Sequence, residues 1–249
     1  MRWASFFQSR GEGKTVDRND ALGNPRHGMI SHVQYQWPIM ITTNRSPFSM
    51  TLERALRRAA SWHRGQNRKG SAVPYIAHPV GVALILDRLG FSEDVVIAGL
   101  LHDAVEDTDA TLAEIGEEFG PDVAEMVAAC SEVKTDATGS ARPWIDRKRD
   151  HIEVLSAASV AARAVALADK LHNLASIRFD LEAGRPVWTL FNAGREEVLW
   201  YYRTCIDRYG AGDPALAALV AGCREMLDAV EGVASSTPPL RGAPGDVSR

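Results

Sequence analysis

Helical periodicity is the feature that most constrains the fold of this chain. Between residues 50 and 232, apolar side chains recur at intervals of three and four residues, and the alternation typical of a sheet is missing. The segment "TLERALRRAASWHRG", for example, places Leu52, Ala55, Leu56 and Ala59 on one stripe. Helices with one apolar stripe bury it against other helices. The sequence therefore predicts an all-α domain, a helical bundle, over residues 50–232.

Residues that begin and end helices support this prediction. Pro79 falls in the first turn of one predicted helix, and Gly90 follows its last turn. Ser92 is a good N-cap for the next helix, which the pattern predicts to run through "LLHDAVEDT". Thr111 and Glu114 have the spacing of a capping box.

The two ends of the chain lack this periodicity. Residues 1–49 are rich in Gly, Asn, Arg and Pro, and we expect a flexible or irregular N-terminal extension. Residues 233–249 include "SSTPPLRGAPGDVSR", whose Ser, Pro and Gly cannot bury enough surface to fold. We expect a disordered tail there.

Charge and composition narrow the classes of partner. The formal net charge of −4 provides no global basic field for nucleic acid or an anionic membrane, although a local cationic cluster could still bind a small anion. No apolar run approaches the roughly 18–20 residues of a membrane span, and the N-terminus has no apolar signal region. Three widely spaced cysteines are typical of reduced thiols. We predict a cytoplasmic protein, and the sequence leaves its oligomeric state open.

The stretch "LLHDAVEDT" concentrates ionisable side chains between apolar neighbours. On a continuous helix His102 and Glu106 would share a face, with Asp103 beside them. Elsewhere, His78 precedes a predicted helix, and Asp169 lies within the apolar run "ALADKLHN". A carboxylate in such a run is costly unless a charge or a metal compensates it.

These side chains suit a divalent metal ion. Two imidazoles and two carboxylates could hold an ion with open positions for water: His78, His102, Asp103 and Asp169. Nitrogen and oxygen donors without thiolate favour manganese, iron or cobalt over a structural zinc site. Glu106 and Asp107 would then be free to position or deprotonate a water molecule and to protonate a leaving group.

A structural interpretation competes with the metal site. "EDTD" by itself is typical of a solvated acidic helix end, and a single His near a helix end is more often structural than a ligand. The spacing of these residues leaves both interpretations open.

Longer motifs carry a resemblance to a known family. In order, the chain contains "HRGQNRK", "PYIAHP", "LLHDAVEDT" followed by "TLAEIGEEFG", and "LADKLHNL". Over about residues 51–205 it resembles the hydrolase domain of RelA/SpoT-type alarmone enzymes, within the HD superfamily. It is most similar to the free-standing small alarmone hydrolases. The resemblance implies an HD-domain helical bundle.

The resemblance also implies a reaction and roles for individual residues. The reaction is manganese-dependent removal of the 3′-pyrophosphate from guanosine tetra- or pentaphosphate, giving GDP or GTP. The implied Mn²⁺ ligands are the four residues named above. The implied catalytic pair is Glu106 and Asp107. The implied substrate-binding residues are Arg68 and Lys69, near the base and phosphates, Asn173, near the ribose, and Arg195.

The sequence departs from the family pattern at several positions. The loop "RKGSAVPYI" differs from the form that is common in the family. Ala166, three residues before the aspartate of "LAD", stands where family members usually have a lysine. Leu199 stands where a tyrosine near the substrate is expected, a role that Trp200 or Tyr202 could fill. These differences concern the choice of substrate and leave the implied metal ligands intact.

Other functions remain open at this stage. The chain after residue 205 shows only helix and tail, so we expect a hydrolase without the sheet-containing synthetase domain of bifunctional relatives. The same site could act on another 2′- or 3′-phosphorylated nucleotide, such as NADPH. A non-catalytic nucleotide sensor is a further alternative, although the four ligands and the Glu-Asp pair are all present.

Overall fold

The computed structural model describes residues 49–236 of the chain, and the predicted all-α fold is confirmed for this segment. The described residues form no strand and only two isolated β-bridges, Asn67 with Pro74 and Thr135 with Ala141. The α-helices are α1 (Met50–Trp62), α2 (Ala77–Arg88), α3 (Glu93–Leu101), α4 (Ala104–Asp107), α5 (Leu112–Phe119), α6 (Pro121–Cys130), α7 (Trp144–Ala157), α8 (Val160–Glu182), α9 (Arg195–Tyr209) and α10 (Ala217–Ser236). Short 3-10 helices cover Val187–Leu190 and Pro214–Leu216.

The ends of the predicted domain are described only in part. Met50 begins α1, as the pattern predicted, and α10 continues four residues past position 232, to Ser236. The predicted N-terminal extension and most of the predicted tail lie outside the described residues. None of the helices between residues 49 and 236 combines the length and hydrophobicity of a transmembrane span.

Local capping explains several helix boundaries. The Ser49 hydroxyl accepts a hydrogen bond from the Leu52 amide at the start of α1. Thr111 and Glu114 form the predicted capping box of α5. Gly120 joins α5 to α6 with a φ of 98°, a left-handed conformation that favours glycine.

Helix α8 is the central element of the core. It packs against α2, α3, α6, α9 and α10, and its residues Leu167, Ala168 and Leu174 are fully buried. Its middle turn also carries Asp169 and Lys170, both of which are largely buried. Because charged groups are rarely buried without partners, this position fixes a polar site inside an apolar bundle.

The prediction of one continuous helix through "LLHDAVEDT" is wrong. Helix α3 ends at Leu101 and α4 begins at Ala104, so His102 and Asp103 form the turn between them. Asp103 has φ −94° and ψ −6°, in the sparsely populated bridge region. The carboxylate of Asp103 accepts a hydrogen bond from Tyr75, and the ring of His102 bonds the Gly99 carbonyl. These side-chain contacts hold the turn, and it directs both groups towards the same point.

Candidate functional site

The structure brings the four predicted ligands together from three parts of the chain. His78 lies in the first turn of α2, His102 and Asp103 in the α3–α4 turn, and Asp169 in the middle of α8. His78 Nε2 lies 3.1 Å from Asp169 Oδ1 and 3.5 Å from Asp103 Oδ2. His102 Nε2 lies 3.1 Å from Asp103 Oδ2 and 3.8 Å from Asp169 Oδ1. Each imidazole thus faces both carboxylates.

The charges of this cluster follow from burial and mutual contact. Burial lowers the pKa of His78, and the neighbouring Asp169 only partly offsets this effect. Burial also disfavours a charge on His102, but Asp103 and Asp169 outweigh it and raise the pKa of His102 to about 9. The pKa values of both carboxyl groups are lowered despite burial, by His102 at Asp103 and by Lys170 at Asp169. Both carboxyl groups of the cluster are therefore ionised, and the two imidazoles lie between them.

The donor set fits a divalent cation. One ligand atom from each of His78, His102 and Asp169 lies within 4.8 Å of the other two, and Asp103 approaches both histidines. The buried Nε2 atom of His102 makes no hydrogen bond of good geometry, and its polar neighbours are the two carboxylates. Two imidazole nitrogens with carboxylate oxygens are typical ligands of divalent transition metals.

Neighbouring side chains orient these ligands. Tyr75 donates a hydrogen bond of 2.7 Å to Asp103 Oδ2. Asn173 donates to Asp169 Oδ1, and the ammonium group of Lys170 binds Asp169 Oδ2. Such outer contacts fix the orientation of metal ligands and influence affinity for the metal.

Glu106 and Asp107, the predicted catalytic pair, lie in α4 beside the cluster. Lys134 Nζ is 3.1 Å from both Glu106 Oε1 and Asp107 Oδ1, so one cation holds the two carboxylates together. Glu106 Oε2 accepts a hydrogen bond from the Glu132 amide. Burial raises the pKa of Glu106, and Lys134 only partly counteracts this. Glu106 is therefore suited to exchange a proton nearer neutral pH than an exposed carboxyl group.

Three of the four predicted substrate-binding residues line pockets at the site, and Arg195 does not. Arg68 Nη2 donates a 2.8 Å hydrogen bond to Asn173 Oδ1, and its guanidinium lies over the Tyr75 ring. Lys69 is exposed and lines an adjoining pocket together with Arg68. Arg195 lines neither pocket; its guanidinium stacks over Trp188, 5.6 Å from the ring centre.

A cavity of about 310 Å³ opens over these groups. Its lining includes Arg68 and Asn173, residues of α7 and α9, and the His/Asp cluster, which consists of His78, His102, Asp103 and Asp169. Of the two aromatic residues considered as replacements for a tyrosine at position 199, Tyr202 lines the cavity. Leu199 is 1% exposed within the apolar core, and Trp200 packs against that core.

Sequence reasoning missed several residues at the site. Tyr75 bridges Asp103 and Asp107, and its place three residues before His78 in "PYIAH" is the one signal that could have revealed it. Lys134 and Lys170 gave no signal, because a lysine in a loop or after an aspartate is usually solvated. Only the tertiary structure places their ammonium groups on the acidic side chains.

Comparisons with known proteins agree with this geometry. A family model described as "HD domain" matches residues 55–195. The mouse guanosine-3′,5′-bis(diphosphate) 3′-pyrophosphohydrolase MESH1 is 44% identical over 119 residues, which cover 47% of this chain and 63% of that protein. A GTP pyrophosphokinase of Streptomyces coelicolor is 38% identical over 128 residues, covering 51% of this chain and 15% of that protein. The match thus spans less than two thirds of these curated relatives.

Two solved structures share the fold. One, described as "A metazoan ortholog of SpoT hydrolyzes ppGpp and plays a role in starvation responses", aligns with a TM-score of 0.60 and 30% identity. The alignment covers 74% of this chain and 97% of that one. A structure from Listeria monocytogenes aligns with a TM-score of 0.54 and 36% identity, over 64% of this chain and 99% of that one.

Proposed function

This chain belongs to the HD domain family, and on that premise we propose that it hydrolyses the 3′-pyrophosphate of guanosine tetra- or pentaphosphate, releasing GDP or GTP and pyrophosphate. The observation that carries the proposal is the convergence of His78, His102, Asp103 and Asp169 beside the Glu106–Asp107 pair. The names of the mouse and human relatives support the choice of substrate, and so does the similarity to a metazoan SpoT ortholog that hydrolyses ppGpp.

We propose Mn²⁺ as the metal, with iron or cobalt as alternatives that the same donor set would accept. The ligands would be the two histidines and two aspartates of the cluster. Bound there, a divalent ion would lower the pKa of a water molecule and polarise a phosphoryl oxygen.

The protein's own groups account for the proton transfers. In the proposed reaction, water adds to phosphorus and the bond from phosphorus to the ribose 3′-oxygen breaks. Glu106, whose pKa is raised by burial, accepts the proton of the attacking water. Asp107, held by Lys134 and Tyr75, is placed to pass that proton from Glu106 on to the departing 3′-oxygen.

Cationic and amide groups position the substrate in this proposal. Arg68 is fixed by Asn173 and by the Tyr75 ring, so its remaining donors can meet phosphate or stack against a base. Asn173 contacts both Arg68 and Asp169, and so couples the nucleotide side of the cavity to the metal ligands.

The experiment is an assay of guanosine tetraphosphate turnover by the full chain, with and without manganese. The catalytic variant is Glu106→Gln/Asp107→Asn. Its control is Asp109→Asn, which removes a carboxylate at an exposed position two residues further on. Manganese-dependent release of GDP and pyrophosphate, lost only in the catalytic variant, is the expected result. No turnover by the metal-loaded wild type would reject the alarmone assignment.

A second candidate is hydrolysis of another 2′- or 3′-phosphorylated nucleotide, such as NADPH. The observation in its favour is Ala166, which lines the cavity where the family resemblance implies a lysine. Release of orthophosphate from NADPH, in the same assay, distinguishes the two substrates. A non-catalytic sensor would retain nucleotide binding and its cellular effect in the Glu106→Gln/Asp107→Asn variant.

A cytoplasmic location stays a prediction from the sequence. The three cysteines of the chain, Cys130, Cys205 and Cys223, are all unpaired, in keeping with a reducing compartment. Cell fractionation with an antibody against the protein tests the location.

A further inference from the structure

The cavity extends beyond the His/Asp cluster into a hollow between α7, α8 and α9. Lys148 and His151 reach this hollow from α7, and Tyr201 reaches it from α9. Ala166 and Lys170 line it on α8. Because alanine has a short side chain, the hollow stays open at position 166. Arg68 and Asn173, proposed for the nucleoside, line the same cavity but also adjoin a second pocket with Lys69, which none of the residues of the hollow line.

The ion cluster of Glu132, Arg147 and Lys148 beside the hollow carries a net positive charge. Glu132 has a side chain only 4% exposed and binds two cations, Lys148 Nζ at 2.7 Å and Arg147 Nη1 at 3.1 Å. Burial would raise the pKa of Glu132, but these two neighbours outweigh it and keep the carboxyl ionised. Two cations against one carboxylate leave one positive charge uncancelled. The other cation of the hollow, Lys170, is neutralised by Asp169.

The hollow also contains polar groups that lack partners. The Tyr201 hydroxyl is buried without a hydrogen bond of good geometry, although the Cys205 thiol lies nearby. His151 is 9% exposed, and neither ring nitrogen has a well-formed hydrogen bond, although the Ala129 carbonyl lies nearby. Buried polar groups are nearly always paired in proteins, and unpaired ones indicate a place for water or a ligand. The ammonium groups of Lys148 and Lys170 lie 5.0 and 5.4 Å from the centre of the Tyr201 ring.

We infer that this hollow is a subsite for the distal phosphoryl group of the 3′-pyrophosphate, and that Lys148 makes the site selective for a pyrophosphate over a monophosphate. The inference rests on the proposed function. The reacting phosphoryl group must lie at the His/Asp cluster, beside Glu106 and Asp107. With the nucleoside beside Arg68, Lys69 and Asn173, the part of the cavity lined by Lys148, His151 and Tyr201 is left for the second phosphoryl group. A 3′- or 2′-monophosphate has no group that extends that far.

Two kinds of donor serve the distal phosphoryl group. Lys148 uses one ammonium donor on Glu132 and has two more for phosphate oxygens. The Tyr201 hydroxyl adds a neutral donor in a buried position. A hydrogen bond to a charged group contributes about 1.5–3 kcal/mol, which is roughly 10- to 100-fold in a dissociation constant.

Calorimetric binding of pyrophosphate and of orthophosphate to the manganese-loaded full chain tests the inference without any turnover. Lys148→Met is the variant, and Arg149→Met is its control, because Arg149 is an exposed cation on the same helix. We expect Lys148→Met to raise the Kd of pyrophosphate about 10-fold and that of orthophosphate less than about twofold. Arg149→Met should change neither. Tyr201→Phe should raise the pyrophosphate Kd about threefold.

Lys148 also binds the buried Glu132, so its removal could unfold the chain. Lys148→Arg retains the charge and serves as a second variant, whose pyrophosphate Kd should stay within about threefold of the wild type. Equal losses of pyrophosphate affinity in Lys148→Met and Arg149→Met, or equal losses for both anions, would overturn the subsite. The binding result is independent of the proposed substrate. If the wild type selects pyrophosphate but does not hydrolyse guanosine tetraphosphate, the subsite is supported and the proposed alarmone hydrolysis is rejected.

Discussion

The Nδ1 atom of His78 lies 2.9 Å from the Nδ1 atom of His172, so one metal-ligand candidate is oriented by a second histidine from α8. His172 reaches this position because Gly81, one turn after His78 in α2, has no side chain. A Cβ atom at position 81 would lie 2.1 Å from His172 Cδ2. His172 is therefore a support for His78, and its ring occupies space that any larger residue at position 81 would need.

Removing this support should weaken metal binding. His172→Phe retains a ring but loses the bond to His78, and we expect the Kd of manganese to rise at least about 10-fold. Gly81→Ala should act in the same direction by displacing the His172 ring. Gly116→Ala is the control, because a Cβ there meets only Ala124 at an ordinary 3.6 Å. Isothermal titration with manganese measures all three variants, and unchanged affinity in His172→Phe would contradict the orienting role.

Lys134 should control the pH dependence of catalysis. Burial raises the pKa of Glu106 and Lys134 lowers it, so Lys134→Met should raise this pKa further. In the proposed reaction Glu106 accepts a proton, so activity should fall as the pH drops through its pKa. The acidic limb of kcat/KM should therefore move up by about one pH unit in Lys134→Met. Lys134→Arg retains the charge and should leave the limb in place; a limb that also stays in place in Lys134→Met would exclude this role.

Arg68 should act through its planar guanidinium. Lys at this position cannot both bind Asn173 and lie flat over the Tyr75 ring. We expect Arg68→Lys to raise KM about 10-fold and to change kcat less than about threefold. Arg64→Lys, at an exposed position in the same loop, is the matched control. Steady-state kinetics measure KM and kcat separately. A decrease in kcat with an unchanged KM would contradict a role of Arg68 in substrate binding.

His151 should make folding stability sensitive to mild acid. Burial and the neighbouring charges of Lys170 and Lys148 lower the pKa of His151 to about 4, against the small opposing effect of Glu132. Between pH 6.5 and 4 the unfolded chain therefore binds a proton that the folded chain does not. This contribution to stability is complete above pH 6.5 and is lost as the pH falls, up to about 3 kcal/mol.

The comparison of wild type with His151→Gln isolates this effect, because other groups that titrate in the same range cancel in the difference. Urea unfolding at several pH values from 7.5 to 4 measures it. The free energy of unfolding of the wild type should decrease more steeply than that of the variant below pH 6.5. Parallel curves would show that His151 titrates normally in the folded protein.

Local patterns in the sequence were sufficient for most of the fold. Helical periodicity predicted the all-α class, and the capping box at Thr111 and Glu114 is formed as its spacing predicted. The prediction of a continuous helix through "LLHDAVEDT" was wrong, and one of the contacts at the break comes from Tyr75, 28 residues before Asp103. Periodicity describes only neighbours along the chain, so it could not reveal this break.

The candidate site, too, could be predicted from the sequence only in part. The chemistry of the four predicted ligands and of the Glu-Asp pair could be read from residue types, since a buried carboxylate needs a compensating charge wherever it lies. The sequence by itself determined which residue types are available to hold a metal and exchange protons, and left a structural interpretation of them open. Only the tertiary structure decided that Lys134 would join Glu106 to Asp107, that Arg195 would stack on Trp188 and not line the cavity, and that Lys148 would line it. These positions depend on how α7, α8 and α9 pack, and a long cationic side chain looks the same in sequence whether it meets water or a buried partner.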